Sequence, residues 1–222
     1  MEVELVLKNI EAVIFDLDGT LVDSMWMWGD IDVEYLAKHN CQVPEDLEDT
    51  IAGMSFTEVA AYFKKRFNIP DDVDTIQQEW IEMAKDKYIN EAMLKPGVAK
   101  FIAYLAEHNI KMGIASSNSN ELVREVLIAR GINDAFTEVH TSCEVSSGKP
   151  APDIYLLVAD KLGIAPDKCL VFEDIPMGIV AGKAAGMKTC AVWDEFSAHQ
   201  EQEKHELADY YIDSFEELLQ EV

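Results

Sequence analysis

The sequence predicts an α/β fold: a doubly wound, mainly parallel sheet with an all-helical insert after its first strand. Three observations predict it. Short apolar runs recur along the chain, each the length of a strand buried on both faces. Segments with helical spacing of apolar residues separate those runs. One long stretch in the first half has helical spacing and no such run.

The first run is Ala12-Val13-Ile14-Phe15, which ends at Asp16. Met112-Gly113-Ile114-Ala115, Cys169-Leu170-Val171-Phe172 and Thr189-Cys190-Ala191-Val192 follow, with Tyr210-Tyr211-Ile212 as a shorter one. Between them, Val98 to His108 carries apolar residues at 98, 101, 102 and 105, which form one helical face. Glu121 to Arg130 repeats the pattern at 122, 123, 126 and 127 and stops at Gly131. Ile154 to Leu162 and Pro176 to Ala185 stop in the same way at Gly163 and Gly186. Glycine ends helices because it takes the left-handed C-terminal position at little steric cost. Strands that alternate with helices imply parallel pairing through crossovers.

From about Met25 to Met93 the rhythm changes. Ile31–Lys38, Phe56–Phe67 and Ile76–Ala92 read as helices, and Asn90–Pro96 reads as the return hinge. The expected organisation is an α/β core of residues 1–24 and 94–222 with a helical cap of residues 25–93.

Composition narrows the partners. The 222 residues include 42 acidic and 18 basic ones, for a formal net charge of −24. Such a chain is repelled by nucleic-acid phosphates and by anionic membrane surfaces, so neither is an expected partner. An anionic ligand would need a metal, a particular lysine or a helix N-terminus. No apolar run approaches the ~18–20 residues of a membrane-spanning helix. The start, Met1-Glu2-Val3-Glu4, has neither the basic nor the apolar region of a secretory leader, so the cytoplasm is the expected location. Cys41, Cys143, Cys169 and Cys190 form no C-x-x-C pair and read as small hydrophobes rather than zinc ligands or disulfides.

Four sites follow predicted strands, where open α/β sheets bind their ligands. Asp16-Leu17-Asp18-Gly19-Thr20 places two carboxylates at i, i+2, on one face of an extended chain. One is suited to attack and the other to proton transfer, and Gly19 allows the sharp turn. Ser116-Ser117-Asn118 offers a hydroxyl and backbone N–H groups where a strand meets a helix, a grip for phosphate oxygens. Lys149, in Gly148-Lys149-Pro150, is a point charge for phosphate in an acidic chain. Glu173-Asp174 supplies hard oxygen ligands suited to magnesium.

These motifs, in this order, resemble those of the haloacid dehalogenase-like hydrolase superfamily, in the branch with a helical cap after the first strand of a Rossmann-like core. Within it, the chain is similar to the beta-phosphoglucomutase and small-phosphatase group. The segment from Glu173-Asp174 through Gly178-Ile179 to Ala185-Gly186-Met187 carries that likeness. The resemblance implies that Asp16 is a nucleophile that becomes an aspartyl-phosphate and that Asp18 is the general acid and base. It implies that Ser116 and Lys149 hold the phosphoryl group. It also implies that Mg2+ is bound by Asp16, Asp174 and the carbonyl of Asp18, with Glu173 a supporting or alternative ligand. Gly178, Gly182 and Gly186 are expected to pack one helix face closely.

The cap separates two activities. Mutases similar to this chain carry a histidine where Trp28 stands and an arginine where Phe56 stands, the arginine for a second phosphate. Trp28 and Phe56 lack those functions, so hydrolysis of a small phosphorylated metabolite, such as a sugar phosphate, is expected over phosphomutase activity. Ser55 and Phe56, beside a cap loop at Gly53-Met54, and Trp28 are expected substrate contacts. A third reading, a catalytically silent scaffold, is opposed by the full set Asp16, Asp18, Ser116, Lys149 and Asp174. A monomer is expected.

Overall fold

A computed structural model describes residues 3–219. After a short helix α1 (Val3–Val6), strand β1 (Ala12–Phe15) runs up the centre of a six-stranded sheet, and all four of its residues are buried. Its side chains alternate between two cores, as strand geometry requires. Val13 and Phe15 join one, with Phe101, Val126 and Phe215; Ala12 and Ile14 join the other, with Tyr155, Val158 and Ala181. Phe15 stacks on Phe172 with ring centroids 5.3 Å apart. Burial on both faces is why these strands are written as unbroken apolar runs.

Past β1 a small antiparallel pair, β2 (Val22–Asp23) and β3 (Met93–Leu94), brackets the helical insert, with Val22 opposite Leu94 and Asp23 opposite Met93. The insert holds α2 (Met25–Lys38), α3 (Leu47–Ile51), α4 (Phe56–Arg66) and α5 (Val73–Asn90). Its helices close on their own aromatic core, in which Phe63 and Tyr35 meet Trp80 at centroid distances of 4.9 and 5.5 Å.

The chain then builds α6 (Val98–Glu107), β4 (Lys111–Ser116), α7 (Asn120–Ala129), β5 (Glu138–Thr141), α8 (Asp153–Leu162), β6 (Cys169–Glu173), α9 (Pro176–Ala184), β7 (Lys188–Val192), α10 (Glu201–Leu207) and β8 (Tyr210–Ile212). The strand order is β5-β4-β1-β6-β7-β8, and every pairing in the sheet is parallel. The chain goes from β1 to β4 and β5 on one side, then crosses to β6 on the other. That reversal opens a crevice above the carboxyl end of β1, where Asp16 stands.

Besides α1, α3 and the β2–β3 pair, two later elements were not foreseen. The edge strand β5, Glu-Val-His-Thr, is half-buried except for Thr141 and so shows no apolar run. The helix α10 is short and polar apart from Leu207, and its buried residue is Lys204. Among the described residues, no helix is long and apolar enough to cross a membrane.

Candidate active site

The loop after β1 is held at both ends. The Asp16 N–H donates to Phe172 O of β6 at 3.0 Å, and the Gly19 N–H donates to Val22 O at 2.9 Å. Gly19 has φ +81°, and a Cβ there would overlap the Asp174 carboxylate, so only glycine lets the loop pass so close. Thr20 Oγ1 donates to Asp174 Oδ1 at 2.9 Å and fixes that carboxylate.

Lys149 joins two carboxylates. Its Nζ lies 2.5 Å from Asp16 Oδ1 and 2.5 Å from Glu173 Oε1, and the side chain is buried. Burial alone would lower the lysine's pKa; the Asp16 and Glu173 carboxylates outweigh it and hold the amine charged. Glu173 is fully buried and accepts from Lys149, from Tyr155 Oη at 2.8 Å and from the N–H groups of Asp174 and Ile175 at 3.0 and 3.2 Å. Both of its oxygens are thus occupied by protein donors.

Asp16, Glu173 and Asp174 each offer an oxygen within 4.8 Å of the others. Burial pushes Asp16 well above the ordinary carboxylate range, Glu173 and Asp174 add to the rise, and Lys149 opposes it. Burial pushes Asp174 up to about 8, with Glu173 and Asp194 adding. Buried carboxylates pressed together beyond what one lysine neutralises make a donor set that fits a hard divalent cation. Asp16 and Asp174 are the members with oxygens to spare.

Asp18 is held by neutral donors. Ser24 Oγ donates to Oδ1 at 2.5 Å, Asn118 Nδ2 donates to Oδ2 at 2.9 Å, and Tyr88 Oη donates to Oδ1. At the end of β4, Ser116 Oγ accepts from the Asn118 N–H at 3.1 Å, and Ser119 caps α7 through Leu122 N.

Asp16, Asp18, Ser116, Ser117, Asn118, Lys149 and Asp174 line one cavity of about 320 Å³, together with Trp28 and Phe56 of the insert. Trp28 meets Phe56 edge-on at 6.0 Å. Two anticipated residues lie elsewhere. Glu173 sits beneath the floor, and Ser55 serves as the N-cap of α4, in a capping box with Glu58. The insert is bonded to the site's loops by its backbone at Phe56 and by a side chain at Glu58. Phe56 N–H donates to Ser117 O at 2.8 Å, and Gly148 N–H donates to Glu58 Oε2 at 3.2 Å.

Sequence reading missed Tyr88, Ser24, Tyr155 and Lys95, whose Nζ reaches Gly19 O and Trp193 O at 2.6 Å and Asp194 Oδ2 at 2.8 Å. The available signal was chemical: a phenol or amine on a core-facing position needs a partner. Tyr88 closes the buried stripe Ile76, Trp80, Ala84, Tyr88.

Paired carboxylates, a buried lysine and a cation-ready oxygen cluster at the switch point of a parallel sheet are suited to chemistry on phosphate esters. The profile of the haloacid dehalogenase-like hydrolase family matches residues 13–192, and the chain belongs to that family, as a phosphoric monoester hydrolase. It is 33% identical over 186 residues to the bifunctional riboflavin kinase/FMN phosphatase of Arabidopsis thaliana, covering 83% of this chain and 49% of that protein, so it spans about half of that relative's length. It is 29% identical to hexitol phosphatase B of Escherichia coli, across 95% of both chains. Among solved structures, CbbY of Rhodobacter sphaeroides superposes with a TM-score of 0.84 at 26% identity, over 94% of this chain and 96% of that one.

Proposed function

We propose that this chain is a magnesium-dependent phosphatase that hydrolyses a small phosphorylated metabolite through an aspartyl-phosphate on Asp16. The observation that carries the reading is Lys149, buried between Asp16 and Glu173 at the floor of the cavity. A fixed cation beside a buried carboxylate lets an anionic phosphoryl group approach an anionic nucleophile.

In the first step an oxygen of Asp16 attacks phosphorus and the bond from phosphorus to the alcohol oxygen breaks. Asp18 gives its proton to that departing oxygen. In the second, water attacks the phosphorus of the aspartyl-phosphate, Asp18 takes the proton, and the bond to Asp16 breaks to leave inorganic phosphate. Lys149 and the Ser116 hydroxyl hold the phosphoryl oxygens, and Glu173 keeps Lys149 in place. Asp16, Asp174 and the Asp18 carbonyl would hold magnesium, which would supply charge neutralisation of the phosphoryl oxygens.

The α/β core of residues 1–24 and 94–222 carries this chemistry, and the cap of residues 25–93 supplies the wall around the alcohol part. That wall has no lysine, arginine or histidine for a second phosphate; among the described residues lining the whole cavity the basic side chains are Lys149 and His199, the latter 3.0 Å from Asp49. The mutase alternative lacks that support. Trp28, Phe56, Leu47 and Ile51 give the wall an apolar character, and Asp32 and Glu48 add carboxyl groups to it. These features suit an uncharged, hydroxyl-bearing alcohol part.

The test is release of inorganic phosphate from a panel of small phosphomonoesters, with and without magnesium, by the native chain and by Asp16→Asn. Release that requires magnesium and vanishes in Asp16→Asn is the expected result. A folded chain that releases phosphate from none of the esters defeats the reading.

A further inference from the structure

Tyr88 stands inside a hydrogen-bond chain that ends on Asp18. Its side chain, from the last turn of α5, is fully buried. Trp28 Nε1 donates to its Oη at 3.0 Å and Asn118 Nδ2 donates to the same oxygen at 2.7 Å. An indole N–H and an amide NH2 offer only protons, so they take up both lone pairs of the phenol oxygen. That leaves one direction for the phenol's own proton, and Asp18 Oδ1 lies there.

The remaining contacts do not fix Asp18 alone. Ser24 Oγ, which reaches the same Oδ1, has a second acceptor in Val22 O at 3.4 Å. Asn118 divides its amide between Asp18 Oδ2 and Tyr88 Oη. Tyr88 is the donor whose direction is set by its neighbours. It also comes from the insert, whereas Asp18 belongs to the core loop. The segment that carries Tyr88 is tied to the core helix α7: Lys85 Nζ lies 3.3 and 3.0 Å from Glu121 and Glu125, and Arg130 donates to Ile89 O.

We propose that Tyr88 is a positioning residue for Asp18, and that the orientation of the acid–base carboxyl depends on α5 being docked against the core. The proposal rests on the phosphatase reading above. Tyr88 exchanges no proton with substrate; it holds Asp18 where its proton reaches the departing alcohol oxygen. Proton transfer is then available when the insert is in place and weakened when it is not.

The test compares two esters of similar shape with magnesium present. Benzyl phosphate releases a poor leaving group that needs a proton, whereas p-nitrophenyl phosphate releases a phenolate that leaves without one. In Tyr88→Phe, kcat/KM for benzyl phosphate is expected to fall by ~10- to 100-fold, a part of the ~100- to 10,000-fold that a general acid supplies, and that for p-nitrophenyl phosphate by less than ~3-fold. Equal falls on both esters indicate a merely structural residue and overturn the proposal, as does no fall on either. If Tyr88→Phe does not fold, Trp28→Phe, which removes one donor to the phenol, is expected to show a smaller loss with the same bias toward benzyl phosphate. Release from neither ester by the native chain would sink the phosphatase reading, and this role with it.

Discussion

The carboxylate of Glu173 occupies the space that a Cβ at Gly178 would need. The first turn of α9 therefore passes directly over the side chain that anchors Lys149. In Gly178→Ala the methyl group meets a carboxylate already committed to its donors. A destabilisation of about 1–3 kcal/mol is expected from overpacking, with loss of phosphate release as Lys149 loses its anchor. Urea unfolding midpoints and activity assays on the same preparation check both parts; an unchanged midpoint would mean that Glu173 has another place to go.

Lys149→Met leaves Asp16 and Glu173 buried side by side without their shared cation. Removing one partner of a buried ion pair costs about 3–5 kcal/mol, so the melting temperature falls and phosphatase activity disappears. Lys149→Arg is expected to restore stability only in part, because a planar fork does not fit a site built around a point charge. Restored activity in that variant would contradict the assigned role.

Magnesium is expected to raise the melting temperature, and more so at pH 8 than at pH 6. Asp174 is pushed from the ordinary 3.8 up to about 8 in the metal-free fold. Between those values the folded state binds more protons than the unfolded one, so metal-free stability falls as pH rises through that window. A cation that favours the ionised carboxylates offsets the loss where it is largest. Melting curves in chelator and in magnesium across pH 5–9 decide it, and Asp174→Asn should lose most of the magnesium-dependent rise.

Asp32 gives a second pH signature, away from the acidic cluster. Burial, with Glu48 adding, pushes it from the ordinary 3.8 to about 7. The same sign applies: its ionisation costs stability increasingly from about pH 4 to pH 7 and by a constant amount above. Asp32→Asn removes that cost, so its melting temperature relative to the native chain should climb over that range and then level off. A difference independent of pH would refute this account.

Much of the fold was legible. Ala12–Phe15, Cys169–Phe172 and their neighbours declared themselves because strands covered on both faces must be apolar at every position. β5 stayed hidden because an edge strand is half-exposed and needs no such run. Asp16, Asp18, Ser116 and Asp174 could be picked out because each follows a foreseen strand, and sheet topology gathers strand ends in one place, while Lys149 showed as a point charge in an acidic chain. Tyr88 could not, since a tyrosine on an apolar helix stripe has the same spacing whether its hydroxyl meets a catalytic carboxylate or an ordinary core acceptor.

By itself the sequence determined the α/β class, the position of the helical insert and the chemical types that surround Asp16, because periodicity and residue chemistry are local properties of the chain. Tertiary structure alone decided how those groups divide their hydrogen bonds. Glu173 spends its oxygens on Lys149, Tyr155 and two backbone N–H groups, Ser55 spends its hydroxyl on the start of α4, and Tyr88 crosses from the insert to hold Asp18. A buried polar atom takes whichever partner the packing brings within about 3 Å, and no spacing along the chain records that choice.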